Sequence, residues 1–173
     1  AAKEAASWLI RRGAASMGVL SASIQSLYEA MGRGEIGGFT VPAINIRGLT
    51  YDVAQAVFRA ALRGKVGPVI FEIARSEIDY TKQRPLEYTC AVTAAAVKTG
   101  WRGPIFLQGD HFQMSAKKFA ANADLEKQTV KNLIWEAIEA GFYNIDIDTS
   151  TLVDLSQPTV RDQQRTNFTL AAE

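Results

Sequence analysis

The chain has 173 residues, 47% of them hydrophobic, and its 19 lysines and arginines nearly balance its 18 aspartates and glutamates. This length and composition suit one globular domain with a sizeable core, or a large piece of a bigger one. Because the net charge is near zero and no long run of like charges occurs, we expect no nucleic-acid partner. We also expect no membrane partner, since no apolar stretch approaches the roughly 18 residues of a membrane span.

Cys90 is the single cysteine, so no disulfide can form within the chain. It lies in a helical run, which predicts a buried thiol in a reducing compartment. The N-terminus lacks the charged and then apolar pattern of a secretory signal. We therefore expect a cytoplasmic protein.

The first 38 residues carry helical patterns around residues 7–12 and 21–31 and contain no convincing strand. We predict that residues 1–38 form a helical cover packed over one end of a sheet. From residue 39 to residue 173 the pattern alternates between strand and helix, which predicts a second region made of βα units.

Four short runs after residue 38 are rich in β-branched or aromatic residues and are bounded by glycine or proline, which predicts strands. They span residues 39–46, 68–73, 104–108 and 143–148. The helical patterns that follow them span residues 50–64, 85–100, 124–141 and 158–173. Thr50 and Asp124 are predicted N-caps, and Gly64, Gly100 and Gly141 are predicted helix ends.

Strands that alternate with helices predict an α/β fold with a parallel sheet that is buried on both faces. Two architectures fit this pattern. One is an open doubly wound sheet, and the other is a (β/α)8 barrel, of which four βα units would be one half.

Polar side chains lie at the ends of the predicted strands. They are Asn45 near the end of the first, Glu72 and Arg75 at the end of the second, Asp110 and His111 after the third, and Asp146 and Asp148 at the end of the fourth. The carboxyl ends of parallel strands share one edge, so these side chains are expected to converge there. A neutral imidazole suits zinc, cobalt or iron, and carboxylates suit metal ligation or proton transfer.

Each of these residues also has a structural explanation. His111 is the single histidine, and one histidine alone cannot close a zinc site. Asp110 and Asp148 are both suited to capping or turn hydrogen bonds, and Asn45 to satisfying backbone groups at a strand end. Arg75 is either a solvated charge or a cation that holds a phosphate.

Four segments in this order carry a resemblance to a known family. They read Phe-Thr-Val-Pro-Ala-Ile-Asn-Ile at 39–46, Gly-Pro-Val-Ile-Phe-Glu at 67–72, Gly-Asp-His at 109–111, and Ala-Gly-Phe-Tyr-Asn-Ile-Asp-Ile-Asp-Thr-Ser-Thr-Leu at 140–152. The chain resembles the class II, metal-dependent fructose-bisphosphate aldolases, a family that includes the tagatose-bisphosphate aldolases. The resemblance covers about residues 30 to 155 and implies the N-terminal half of a (β/α)8 TIM barrel with extra N-terminal helices.

The resemblance also implies roles for individual residues. His111 matches a zinc ligand, and Asp148 matches an acidic residue near the metal. Asp110 matches the aspartate that exchanges a proton with the substrate hydroxyl, and Asn45 matches an asparagine near the substrate. The implied activity is zinc-dependent cleavage of a ketose 1,6-bisphosphate, with zinc or another divalent ion polarising the substrate carbonyl.

Some positions depart from the family pattern. Phe112 stands where the family usually has glycine, Gly109 replaces a bulkier residue, and Ala74 replaces a frequent serine. The remaining family ligands, one glutamate and two histidines, come from later strands. We therefore expect this chain to be the N-terminal half of a longer polypeptide that acts as a homo-oligomer. The alternative is a non-catalytic aldolase-like partner subunit or a phosphosugar-binding module.

Overall fold

Five parallel strands form one sheet in the computed structural model, which describes residues 2–173. The strands are β1 (Val19–Ala22), β2 (Ala43–Asn45), β3 (Ile70–Ala74), β4 (Gly103–Asp110) and β5 (Asn144–Ile145). The helices are α1 (Ala2–Ser16), α2 (Gln25–Gly32), α3 (Thr50–Gly64), α4 (Arg75–Thr81), α5 (Pro85–Thr99), α6 (Ala116–Ala121), α7 (Ala123–Ala140), α8 (Val160–Gln163) and α9 (Arg165–Ala172). A 3-10 helix covers Ser150–Leu152.

The order of the strands decides between the two predicted architectures. β2, β3, β4 and β5 are neighbours in chain order, and every pairing between them is parallel. A doubly wound sheet reverses its strand order at a switch point, whereas a barrel adds its strands one after another. Helix α5 packs against α3 and α7, as successive outer helices of a barrel do. The fold is therefore a partial TIM-barrel-like α/β fold, as predicted.

The prediction that no strand precedes residue 39 is wrong. Strand β1 lies in that segment and pairs in parallel with residues 103–106 of β4. It lies on the same flank of β4 as β5, which pairs with residues 108 and 109, because β3 occupies the opposite flank. The side-chain oxygen of Asn144 accepts hydrogen bonds from Ile24 N and Ser23 Oγ, both at 3.1 Å, and so joins the end of β1 to β5.

The predicted helices 50–64, 85–100 and 124–141 match α3, α5 and α7 to within one residue at each end, but both predicted N-caps are wrong. Gly100 and Gly141 end α5 and α7 in the left-handed conformation that favours glycine. Thr50 does not cap α3, because it is the first residue of the helix and Leu49 holds the N-cap position; its hydroxyl donates to Gln83. The N-cap of α7 is Asn122, whose side chain accepts from Leu125 N at 3.0 Å, and the predicted cap Asp124 lies in the first turn.

The core lies between the sheet and helices α3, α5 and α7. All five residues of β3 are buried, as expected for a central parallel strand. Phe58 of α3 packs on Phe71 of β3 and on Trp101, with ring centroids 4.9 and 5.1 Å apart. Burial of these rings fixes the strands against the helices, and with them the position of the carboxyl edge of the sheet.

Cys90 is buried, as predicted. Across residues 2–173, no helix combines the length and the apolar content that a membrane span needs.

Candidate functional site

The predicted rim residues meet at the carboxyl edge of the sheet. Asn45 ends β2, Asp110 ends β4, and His111 follows directly. Asp146 and Asp148 follow β5 and approach the same imidazole. These residues come from three strand ends that lie far apart in the chain, and the parallel pairing brings them together.

The imidazole of His111 lies among three carboxylates. Its Nδ1 is 3.0 Å from Asp148 Oδ2 and 3.5 Å from Asp146 Oδ2, and its Nε2 is 3.7 Å from Asp110 Oδ1. The hydrogen bond with Asp148 and the charge of Asp110 raise the pKa of His111. The His111 side chain is 63% exposed, so a ligand can reach the ring from solvent.

Asp148 is the most buried of the three carboxylates, with 8% of its side chain exposed. One oxygen accepts from Ser150 N at 2.9 Å and Ser150 Oγ at 2.6 Å, and the other accepts from Gln113 Nε2 at 2.6 Å and faces His111. Burial raises the pKa of Asp148, but these hydrogen bonds outweigh it and lower the pKa to about 2. Asp148 is therefore an ionised partner for the His111 Nδ1–H group, an arrangement common behind metal-bound histidines.

Asp110, His111 and Asp146 form a group that can hold a metal ion, because one ligand atom from each lies within 4.8 Å of the others. The group offers one imidazole nitrogen and two carboxylate oxygens, a donor set that divalent cations accept. With Nδ1 of His111 directed at Asp148, Nε2 remains for a ligand on the side of Asp110.

Asn45 fixes the other oxygen of Asp110. Its side-chain nitrogen donates to Asp110 Oδ2 at 2.8 Å and to Glu77 Oε2 at 3.1 Å. A carboxylate only accepts hydrogen bonds, so both neighbours require that the amide nitrogen, and not the amide oxygen, face them. Asp110 is thereby held with Oδ1 directed towards His111.

The backbone between His111 and Met114 is tied to the segment after β5. Phe112 N donates to Asp146 O at 3.0 Å, and Met114 N donates to Asp148 O at 2.8 Å. His111 itself has φ of 45°, in the left-handed region. Such a conformation costs a non-glycine residue on the order of 1–3 kcal/mol and is found disproportionately at functional sites.

Gly109 and Phe112, the two positions that depart from the class II aldolase pattern in this turn, lie directly against each other. The ring of Phe112 is fully buried and lies over Gly109, where an added Cβ would stand 2.7 Å from ring carbons Cε1 and Cζ. Glycine at 109 therefore makes room for phenylalanine at 112. The ring packs beneath the turn that presents His111.

Glu72 lies one layer below the rim and is buried, 7% exposed. It accepts a hydrogen bond from Gln108 on the neighbouring strand. Burial, together with the negative charge of Asp110, raises the pKa of Glu72. Glu72 was predicted near the strand end, but β3 runs on to Ala74, so Glu72 is the middle residue of the strand and lies beneath Asp110.

Arg75 is not a free surface cation. Its guanidinium donates to Glu126 Oε1 at 2.6 Å, to Glu126 Oε2 at 3.2 Å and to Gln113 O at 2.6 Å. Glu126 also accepts from Ser115 N at 2.8 Å. This buried ion pair fixes the loop after His111 between α4 and α7, so we assign Arg75 a structural role.

We expect Glu126→Gln to lower the free energy of unfolding by about 3–5 kcal/mol near neutral pH, because it leaves Arg75 buried without its counter-charge. Burial raises the pKa of Glu126, but Arg75 and Ser115 N lower it below its ordinary value of 4.5. The ionised carboxylate therefore stabilises the fold above pH 4.5, and this contribution is lost as the pH falls through the lowered pKa.

Urea unfolding of the wild type and of Glu126→Gln between about pH 7 and pH 3 measures this contribution. The difference between the two proteins should shrink as the pH falls. Glu136→Gln is the matched control, since Glu136 pairs with Arg84 at the surface, where an ion pair contributes about 0–1 kcal/mol. A difference for Glu126→Gln that stays constant with pH would contradict the assignment.

Sequence reasoning missed Glu77, Gln113 and the loop contacts around them. Glu77 lies in α4, a seven-residue helix without a strong sequence pattern. Gln113 lies between the predicted strand 104–108 and the predicted helix 124–141, where no element was predicted. Its side chain reaches Asp148 just after the turn at His111 with its positive φ, and no sequence pattern predicts that angle for a histidine.

Comparisons with known proteins give one informative likeness. No protein-family model matches the chain, and no curated protein matches it. Among solved structures, the chain is similar to a protein from Sinorhizobium meliloti 1021 described as a probable tagatose 6 phosphate kinase, with 26% identity and a TM-score of 0.56. The likeness covers 78% of this chain and 35% of that protein, so this chain spans about a third of its length.

Proposed function

We propose that this chain provides part of the active site of a class II aldolase. Such an enzyme is a metal-dependent lyase, and here it would cleave a ketose 1,6-bisphosphate of the fructose or tagatose type to dihydroxyacetone phosphate and an aldehyde phosphate. The observation that carries the proposal is the convergence of Asp110, His111 and Asp146 at the carboxyl edge of a parallel sheet. Enzymes with this fold place their catalytic groups at that edge.

The solved structure similar to this chain supports the substrate class. It is named for tagatose 6-phosphate, which is a phosphorylated ketose. The reaction in its name is phosphoryl transfer, so the name supports a sugar phosphate as the substrate, whereas carbon–carbon cleavage rests on the resemblance of the strand-end segments to the class II aldolases.

The residues present fit a divalent metal ion. His111 would bind it through Nε2, and Asp146 would supply a carboxylate oxygen. Asp148, which the resemblance implies to be near the metal, is also a candidate ligand, but its hydrogen bonds favour a role as the partner that orients His111. Zinc is our first choice, since it accepts imidazole and carboxylate ligands and leaves a catalytic position open. A divalent cation there would polarise the carbonyl of a bound ketose and offset negative charge on its oxygen.

Asp110 would accept the proton of the substrate hydroxyl when the carbon–carbon bond breaks, and return it in the reverse reaction. A general base must be ionised and must have a free oxygen near the proton it takes. The hydrogen bond from Asn45 occupies Oδ2 and leaves Oδ1 on the side of His111. Asn45 therefore orients the carboxylate of Asp110, and a direct contact of Asn45 with substrate stays a prediction.

The test is a cleavage assay on the full-length protein with fructose and tagatose 1,6-bisphosphates, combined with metal analysis. We expect about one bound divalent ion per site, as for a catalytic metal centre, loss of cleavage on chelation, and recovery when zinc is added back. An active enzyme that holds no metal would exclude the proposal.

A second candidate is a non-catalytic partner subunit or a phosphosugar-binding module with the same fold. One observation favours it: the similar solved structure is named for a different reaction on a phosphorylated ketose, and a shared fold does not fix the chemistry. Calorimetric binding of a ketose phosphate without any cleavage, in the metal-loaded full-length protein, would support this candidate over the lyase.

A further inference from the structure

Glu77 has no role in the proposed reaction, yet its carboxylate is one of the most highly coordinated groups near the site. It lies in α4 and is 5% exposed. Oε2 accepts from Ala74 N at 2.8 Å and from Asn45 Nδ2 at 3.1 Å, and Oε1 accepts from the Nε of Arg47. The carboxylate is therefore fixed from three directions, and one of them leads to the site.

The contact with Asn45 links Glu77 to Asp110. The Asn45 amide nitrogen has two hydrogens, and its two acceptors are the carboxylates of Glu77 and Asp110. With both hydrogens engaged, the amide cannot rotate without breaking one charge-assisted bond, and such bonds are about twice as strong as neutral ones. The distance from Glu77 to Asp110 is bridged by a single side chain.

Arg47 completes the arrangement on the solvent side. Its side chain is 61% exposed and its guanidinium pairs with the buried Glu77 carboxylate. The charge of Arg47 offsets part of the cost of keeping a carboxylate in this place. Without that cation, Glu77 and Asp110 would be two anions on either side of one neutral amide.

We infer that Glu77 is a positioning residue that acts through Asn45 to hold the catalytic oxygen of Asp110 in place. The inference rests on the proposed function for the role of Asp110, and the hydrogen-bond relay itself can be tested without it. Glu77 lies behind Asn45 and outside the group that can hold a metal, so its loss should affect the catalytic step more than substrate binding.

The first experiment compares Glu77→Gln with the wild type in the full-length, metal-loaded protein. Glutamine keeps one oxygen for Ala74 N and Asn45, but it removes the charge and turns an amide towards Arg47. We expect kcat to fall about 10- to 100-fold, as for a small displacement of a catalytic group. KM and metal content should stay within about twofold of wild type. Glu136→Gln, which also removes a glutamate paired with an arginine, should leave kcat unchanged.

A double-mutant cycle then tests whether Glu77 acts through Asn45. In an Asn45→Ala background the relay is already broken, so Glu77→Gln should lower kcat no further. Equal reductions in the two backgrounds would overturn the inference. Should Glu77→Gln fail to fold, Glu77→Asp keeps the charge and draws the carboxylate back by one methylene, and the same cycle is run with it.

The second readout does not need activity. The side-chain amide of Asn45 gives an NMR signal from two hydrogens, and both are expected to exchange slowly because both are hydrogen-bonded. Glu77→Gln should shift one of them and speed its exchange, and Glu136→Gln should change neither. An unchanged Asn45 signal in Glu77→Gln would overturn the relay. If the wild type shows no cleavage but the Asn45 signal responds, the proposed function fails and the relay stands.

Discussion

Asp110→Ala is expected to lower cleavage by about 10²- to 10⁴-fold, the usual contribution of a general base, and to leave the bound metal in place. His111→Ala is expected to release the metal and lose cleavage with it. The two residues are neighbours in sequence, but their side chains have different partners: Asn45 for Asp110, and Asp148 for His111. Metal content by atomic absorption and kcat for both variants separate the two roles.

The control for this pair is Asp154→Ala. Asp154 accepts from Ser156 N at 3.0 Å and Ser156 Oγ at 2.6 Å, so it forms the same local turn as Asp148 with Ser150, but away from the imidazole. The Asp154→Ala variant should retain both the bound metal and the cleavage activity. Comparable metal occupancy in His111→Ala and wild type would contradict the ligand assignment, and loss of metal in Asp110→Ala would make Asp110 a ligand.

Gly109→Ala is expected to destabilise the fold by about 1–3 kcal/mol, the usual cost of overpacking a core, and to weaken metal binding as well. The added Cβ would stand 2.7 Å from the buried ring of Phe112. The ring is fully buried, so we expect the overlap to displace the turn at His111, which the bond from Phe112 N to Asp146 O joins to the segment after β5. Thermal unfolding and metal titration of the variant measure the two effects.

Phe112→Leu removes the ring carbons that an alanine at 109 would meet. In that background Gly109→Ala should lower the free energy of unfolding by less than it does in the wild type, with a coupling free energy of about 1 kcal/mol or more. Gly67→Ala is the control, since a Cβ at Gly67 has no neighbour within 4 Å and the residue has an ordinary φ. Strictly additive effects of the 109 and 112 substitutions would show that the ring is free to move aside.

The sequence predicted the positions of the site residues well, because they depend on strand ends. Asn45 and Asp110 end their strands and Asp148 lies shortly after β5. The parallel pairing brings these strand ends to one edge, and this needs no knowledge of the loops. The contacts among them could not be predicted in the same way. Asp148 is bonded to Gln113, which is placed by the backbone of a loop. Arg75 is bonded to Glu126, which is placed by the packing of α7.

The elements that sequence reasoning missed share a physical cause. Strand β1 has four residues, and α4 and α6 have seven and six, so each is too short to repeat a periodic pattern. The cap of α7 was misplaced by two residues because Asn122 and Asp124 are equally suited to capping. Long helices with a glycine at the end, such as α5 and α7, were predicted correctly because both signals agree.

Strand β1 has a consequence for how this protein can be trimmed. Its four residues cover the edge of β4 at 103–106, and its end is held by Asn144, two positions before Asp146. A truncated variant that begins at Phe39 would lack β1. Four residues of β4 would then have unpaired backbone N–H and C=O groups on that edge, which favours aggregation. The N-terminal segment thus contributes a strand that is joined through Asn144 to the segment carrying Asp146, and any shorter version that keeps the candidate site has to keep β1 as well.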